Sequence, residues 1–127
     1  MAPDPKRAEL PRTPDAPAQA RRAVAGWLKD ALDPRRLEDA KLLVSELVTN
    51  AVRHPRSNGL IELEVAVASK RVRIEVSDPG AGFSKPRVGA PPHDTVGGRG
   101  LLIVDRVASR WGVTPGRRTR VWFELDR

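Results

Sequence analysis

The stretch LIELEVAVASKRVRIEVSD, Leu60 to Asp78, decides the fold class. Ile61, Leu63, Val65 and Val67 alternate with Glu62 and Glu64, and Val72, Ile74 and Val76 repeat the alternation after Ser69-Lys70. A period of two marks a half-buried strand. Two such strands about a short polar break predict an antiparallel hairpin, although the break lacks the usual glycine. The parity of the second strand carries Asp78 to the same inward face as Val76. A carboxylate on that face needs hydrogen-bond donors, because burying it without them is costly.

Upstream, Leu37, Ala40, Val44, Leu47, Val48 and Ala51 recur at helical spacing from Pro34 to about His54. Asp33 is placed to cap this helix, with Pro34 at its first position, and Pro55 ends it. Before it, Asp15 can cap a helix to about Leu32 that turns Ala20, Val24, Trp27, Leu28 and Leu32 inward. Residues 1–14 are proline-rich and read as a flexible tail with a short edge strand near Leu10, leaving 15–127 as one domain. Downstream, residues 79–97 hold many glycines and prolines and no clear element. A loop of that length in a small domain is usually functional. A helix follows in GRGLLIVDRVASRWG, with Leu101, Val104, Val107 and Ala108 inward, then a short strand over Trp111 to Thr114. TRVWFELD alternates again, with Thr119, Val121, Phe123 and Leu125 on one face. This order predicts an α+β, two-layer sandwich: a mixed, mostly antiparallel sheet with helices on one face.

Bulk properties narrow the function classes. The 127 residues carry a net charge of +7, with 39% hydrophobic and 31% charged residues and no cysteine, so disulfides and thiolate metal sites are excluded. No apolar run approaches the roughly 20 residues that cross a bilayer, and the N-terminal stretch has no apolar signal core. A cytoplasmic protein without membrane attachment is expected. The basic residues are scattered, and the few aromatic residues form no evident stacking platform, so direct nucleic-acid binding is not expected.

Three short stretches carry the chemistry. In SELVTNAVRH, Glu46 and Asn50 lie one helical turn apart, beside the apolar stripe of Leu43 and Leu47. Asn offers a neutral oxygen that suits Mg2+ alongside phosphate oxygens and water, and Glu can deprotonate a nucleophile. In DPGAGF, Asp78 can accept from an exocyclic base amino group, and Gly80 and Gly82 leave room for a flat ring against the backbone. In VGGRGLL, Gly97, Gly98 and Gly100 bare the backbone just ahead of a helix, where free N–H groups and the helix dipole favour phosphate, and Arg99 adds charge. Each stretch alone also reads as ordinary structure: a solvated helix edge, an Asp-Pro-Gly turn, a glycine loop. Their conjunction, in this order and joined by a loop that could close, is far more specific.

These residues resemble the GHKL superfamily of ATP-binding domains. ELVTNAVRH resembles its N box, DPGAGF its first glycine box and GGRGLLIV its second. Within the superfamily, the chain from LVSELVTNAVRH to TRVWFELD is most similar to the compact anti-sigma-factor serine kinases. The resemblance implies ATP and Mg2+ as cofactors, with Asn50 as the metal ligand and Glu46 as the catalytic base acting on a partner's serine hydroxyl. It implies that Asp78 accepts from the adenine amino group, that Gly80 and Gly82 shape the adenine pocket, and that Thr119 supports it through water. Gly98 and Gly100 would meet the phosphates, with Arg99 and Leu101 nearby and His54 approaching a phosphate. Lys85 and Arg87 fall in the implied lid. Arg118 departs from the pattern, standing before Thr119 where a glycine is common. His93 lies in the loop and not in a dimerisation helix, so a complete histidine kinase is not expected.

The implied function is an ATP- and Mg2+-dependent serine/threonine kinase that phosphorylates an anti-anti-sigma antagonist and sequesters a sigma factor, thereby regulating transcription. The implied partners are that sigma factor and that antagonist, with a homodimer as the assembly. The alternative is a catalytically silent ATP-binding module that acts through protein contacts alone.

Overall fold

In the computed structural model the alternating segments pair as their patterns require. The structure describes residues 4–53, 59–78, 98–114 and 116–127, with the backbone alone over 98–101. Strands β2 (Ile61–Val67) and β3 (Arg71–Asp78) form the hairpin, with Leu63 opposite Val76 and Val65 opposite Ile74. Its turn closes with the Ala68 N–H donating to the Arg71 carbonyl at 2.8 Å. No described non-glycine residue takes a positive φ, so this turn needs no glycine.

Strand β5 (Thr119–Asp126) runs antiparallel to the other edge of β3, setting Val121 opposite Val76, Phe123 opposite Ile74 and Leu125 opposite Val72. Strand β4 (Arg110–Thr114) pairs antiparallel with β5. Strand β1 (Lys6–Leu10) pairs antiparallel with β2, from Lys6 opposite Val65 to Leu10 opposite Ile61. The sheet order is β1-β2-β3-β5-β4. All four pairings among the described residues are antiparallel, so the parallel component of the expected mixed sheet is not found there.

β1 is the short edge strand expected near Leu10, and it extends back to Lys6 within the stretch expected to be a flexible tail. Leu10 is its one buried side chain, too little for a period-two signal to show in the sequence. Backbone pairing with β2 holds it instead.

Helices α1 (Ala16–Leu28) and α2 (Pro34–Arg53) pack on each other and on the inner face of the sheet. Ala16, Ala20, Val24 and Leu28 from α1 meet Ala40, Leu43, Val44, Leu47, Val48 and Ala51 from α2 in one core with Ile61, Leu63, Ile74 and Phe123. The Asp33 carboxylate caps α2, accepting from the Arg36 N–H at 2.8 Å. Asp15 stands at the N-cap of α1, but its side chain makes no cap bond, contrary to expectation. α1 also stops at Leu28, short of Leu32, because the Ala31 and Leu32 N–H groups both turn back on the Leu28 carbonyl. Helix α3 (Gly98–Val107) packs on α2 and reaches the core through Val104.

Candidate functional site

The inward parity of β3 runs Val72, Ile74, Val76 and ends on Asp78, which is fully buried. Its partner across the ladder is Thr119, the first residue of β5, 6% exposed on the same face. An apolar pattern has thus delivered a carboxylate and a hydroxyl, side by side, to the end of the core.

The carboxylate is answered by Arg12, at the bend between β1 and α1. Arg12 Nη2 donates to Asp78 Oδ1 at 2.9 Å and Nη1 to Oδ2 at 3.2 Å. This is the two-pronged geometry that a planar guanidinium offers a carboxylate. Nη1 also donates to the carbonyl of Ala51. That carbonyl lies in the last turn of α2, where backbone acceptors have no partner within the helix. One side chain therefore satisfies a buried charge at the end of β3 and a helix-end acceptor on α2.

Asn50 immediately precedes Ala51 and is 8% exposed. Glu46, one turn earlier, is half-buried beside Leu43 and Leu47, which are fully buried. The two polar residues mark the border of the core, with Asn50 the deeper. Ser45, next to Glu46, accepts from Arg21 Nη1 of α1 at 2.8 Å. Gly98, Arg99, Gly100 and Leu101 form the first turn of α3, whose leading N–H groups lack helical acceptors. His54, Gly80 and Gly82 lie outside the described residues, as does the loop over 79–97 with Lys85 and Arg87.

Arg118 turns away from this face. Its Nε lies 3.3 Å from Ser77 Oγ and 3.4 Å from Glu62 Oε2, on the side of the sheet opposite Asp78 and Thr119. A long side chain before Thr119 therefore leaves the inner face unaltered.

Asn50 and Glu46 present oxygen donors that suit a hard cation. No cluster of three or more His, Cys, Asp or Glu side chains able to hold a metal occurs among the described residues. A Mg2+ ion here would draw its other ligands from phosphate oxygens and water, which is its common mode of binding.

Arg12 was not singled out in the sequence. It sits in LPRTP, where prolines on both sides restrict the bend, but nothing local says that an arginine in a polar, proline-rich stretch reaches Asp78.

Residues 10–124 match the family described as histidine kinase-like ATPase domain. Among curated relatives, an anti-sigma F factor of Clostridium botulinum (strain Alaska E43 / Type E3) is 40% identical over 80 residues, covering 58% of this chain and 55% of that protein. The serine-protein kinase RsbW of Listeria monocytogenes is 28% identical over 113 residues, covering 76% and 71%. The chain thus spans little more than half the length of the anti-sigma F factor that it matches. Among solved structures, the RsbU and RsbW domains of Rv1364c from Mycobacterium tuberculosis superpose with a TM-score of 0.74 at 23% identity, covering 98% of this chain and 33% of that one. The histidine kinase domain of an Erythrobacter litoralis blue-light activated histidine kinase gives a TM-score of 0.58 at 23% identity, covering 87% and 58%. At these identities the structural matches establish the fold.

Proposed function

The chain belongs to the histidine kinase-like ATPase domain family, and from that premise we propose that it is an ATP- and Mg2+-dependent serine/threonine kinase of the anti-sigma kind. It phosphorylates an anti-anti-sigma antagonist protein and, in another state, holds a sigma factor. The observation that carries this reading is the buried Asp78, in register with Thr119 and tied through Arg12 to the helix bearing Glu46 and Asn50. Relatives named as an anti-sigma F factor and a serine-protein kinase support the partner class and the reaction.

Each residue has a defined task in this reading. Asp78 accepts from the adenine amino group, and Thr119 holds a water beside it. Asn50 would hold Mg2+ through its side-chain oxygen, and the ion would supply charge neutralisation for the phosphates. Gly98 and Gly100, with Arg99 and Leu101, present the start of α3 to the phosphates. Glu46 takes the proton from the partner's serine hydroxyl as that oxygen attacks the terminal phosphorus of ATP and the bond to the bridging oxygen breaks, releasing ADP.

Calorimetric titration of ATP, with and without Mg2+, into the wild type and Asp78→Asn tests the binding half. Mg2+-dependent binding that the substitution abolishes is the expected result; a folded wild type that binds no nucleotide overturns it. Glu46→Gln tests the chemistry. It should leave ATP affinity within about twofold and lower phosphotransfer to the antagonist by roughly a hundredfold or more, the usual scale of a lost general base. Retained transfer would remove Glu46 as the base. Absent transfer from a wild type that binds ATP and its partner would favour the catalytically silent module.

A further inference from the structure

Arg12 holds both oxygens of the one carboxylate assigned above to the base. Two outcomes are open when a nucleotide enters: the base displaces Arg12 from Asp78, or it shares the carboxylate with it. Displacement breaks a doubly bonded ion pair whose carboxylate is fully buried and whose guanidinium is 14% exposed. Removing one partner from such a pair costs on the order of a hundredfold or more in an equilibrium constant. One neutral amino-to-carboxylate bond returns about tenfold to a hundredfold, at or below that cost. Sharing is therefore favoured. A carboxylate offers about four acceptor positions, and the guanidinium fork uses one on each oxygen.

We propose that Arg12 is a positioning residue that sets specificity for the 6-amino group of the purine. Its two prongs fix the plane of the Asp78 carboxylate. Its third contact, to the Ala51 carbonyl, anchors that fork to α2 one residue from Asn50. The base-reading oxygen and the metal-binding helix are thus held at a set separation by a residue from the bend between β1 and α1. The inference rests on Asp78 reading the base, and its test must separate the two claims.

The test compares affinities for ATP and for purine riboside triphosphate, which carries hydrogen in place of the 6-amino group. The proteins are the full chain, Arg12→Gln and Arg12→Lys, each checked by thermal melting. The wild type should prefer ATP by about tenfold or more, the worth of one such bond. Arg12→Gln should narrow that preference to within about twofold, through weaker ATP binding, while affinity for the deaminated analogue barely changes. Arg12→Lys keeps the charge but cannot fork, so it should also lose most of the preference; it carries the test should Arg12→Gln fail to fold. An undiminished preference in both variants overturns the proposal. Equal weakening for both nucleotides also overturns it, because that is the mark of a purely structural role. Tighter ATP binding by either variant overturns it in favour of Arg12 as a competitor for the base. A wild type that binds ATP and the analogue equally overturns the assignment of Asp78 to the amino group, and the proposal with it. A wild type that binds neither overturns the nucleotide-site reading itself.

Discussion

Two arginines five positions apart tie the N-terminal segment to the sheet, in opposite settings. Arg7, in β1, meets Glu64 of β2 at 3.2 Å, with side chains 74% and 36% exposed. Arg12 meets Asp78 at 2.9 Å, with side chains 14% and 0% exposed. The charges and the separations are alike, and the consequences differ because water screens the first pair and not the second. The outer face of the sheet shares its charges among several partners instead. Glu124 lies near Arg71, Arg73 and Arg110, and Arg73 stacks over Trp122 at 4.1 Å from the ring centroid. With three half-exposed arginines near the one largely buried Glu124, the loss of one arginine leaves that carboxylate two others. On the inner face the fully buried carboxylate of Asp78 is held by the Arg12 fork, so chemistry and stability converge on the same pair.

The largest expected effect tests that asymmetry directly. Arg12→Ala leaves Asp78 buried without its fork and should destabilise the fold by about 3–5 kcal/mol, read from urea denaturation. A loss under about 1 kcal/mol would place the inner pair with the outer ones. Gly112→Ala comes next. A Cβ there would sit 2.8 Å from the Trp122 ring, so the indole must shift and disturb its stack with Arg73. The expected cost is about 1–3 kcal/mol, the scale of overpacking, with a change in tryptophan fluorescence. The smallest effect is Arg7→Ala, expected within about 1 kcal/mol and smaller still in 1 M NaCl, where the Arg12 pair should hold. A larger effect at Arg7 would show that β1 is held by its ion pair and not by its backbone ladder.

The periodic elements were legible in the sequence because burial repeats along them. Ile61, Leu63 and Val65 in β2 and Val121, Phe123 and Leu125 in β5 are the alternating positions, and all are buried. The inward placement of Asp78 and Thr119 followed from the same parity and appears in the register of β3 against β5. β1 was not legible as a full strand, because an edge strand with one buried side chain is specified by its neighbour's backbone and not by its own pattern. Glu46 and Asn50 were legible as a pair on one helix face, yet only packing against the sheet makes Asn50 the deeper of the two.

What the sequence by itself determined was the set of local patterns: two alternating hairpin strands, amphipathic helices capped or broken by Asp33 and the prolines, and polar residues set at inward positions. Those patterns depend on neighbours within a turn or two of the chain, so composition and spacing suffice to read them. What only the tertiary structure decided was who answers the buried charge. Arg12 and Asp78 are 66 residues apart, and their pairing depends on β1 closing the edge of the sheet, on α1 turning back from it, and on α2 ending where the Ala51 carbonyl faces the same guanidinium. No spacing rule reaches that far, because a long-range partner is chosen by the fold that brings it near and by the cost of leaving a buried carboxylate without one.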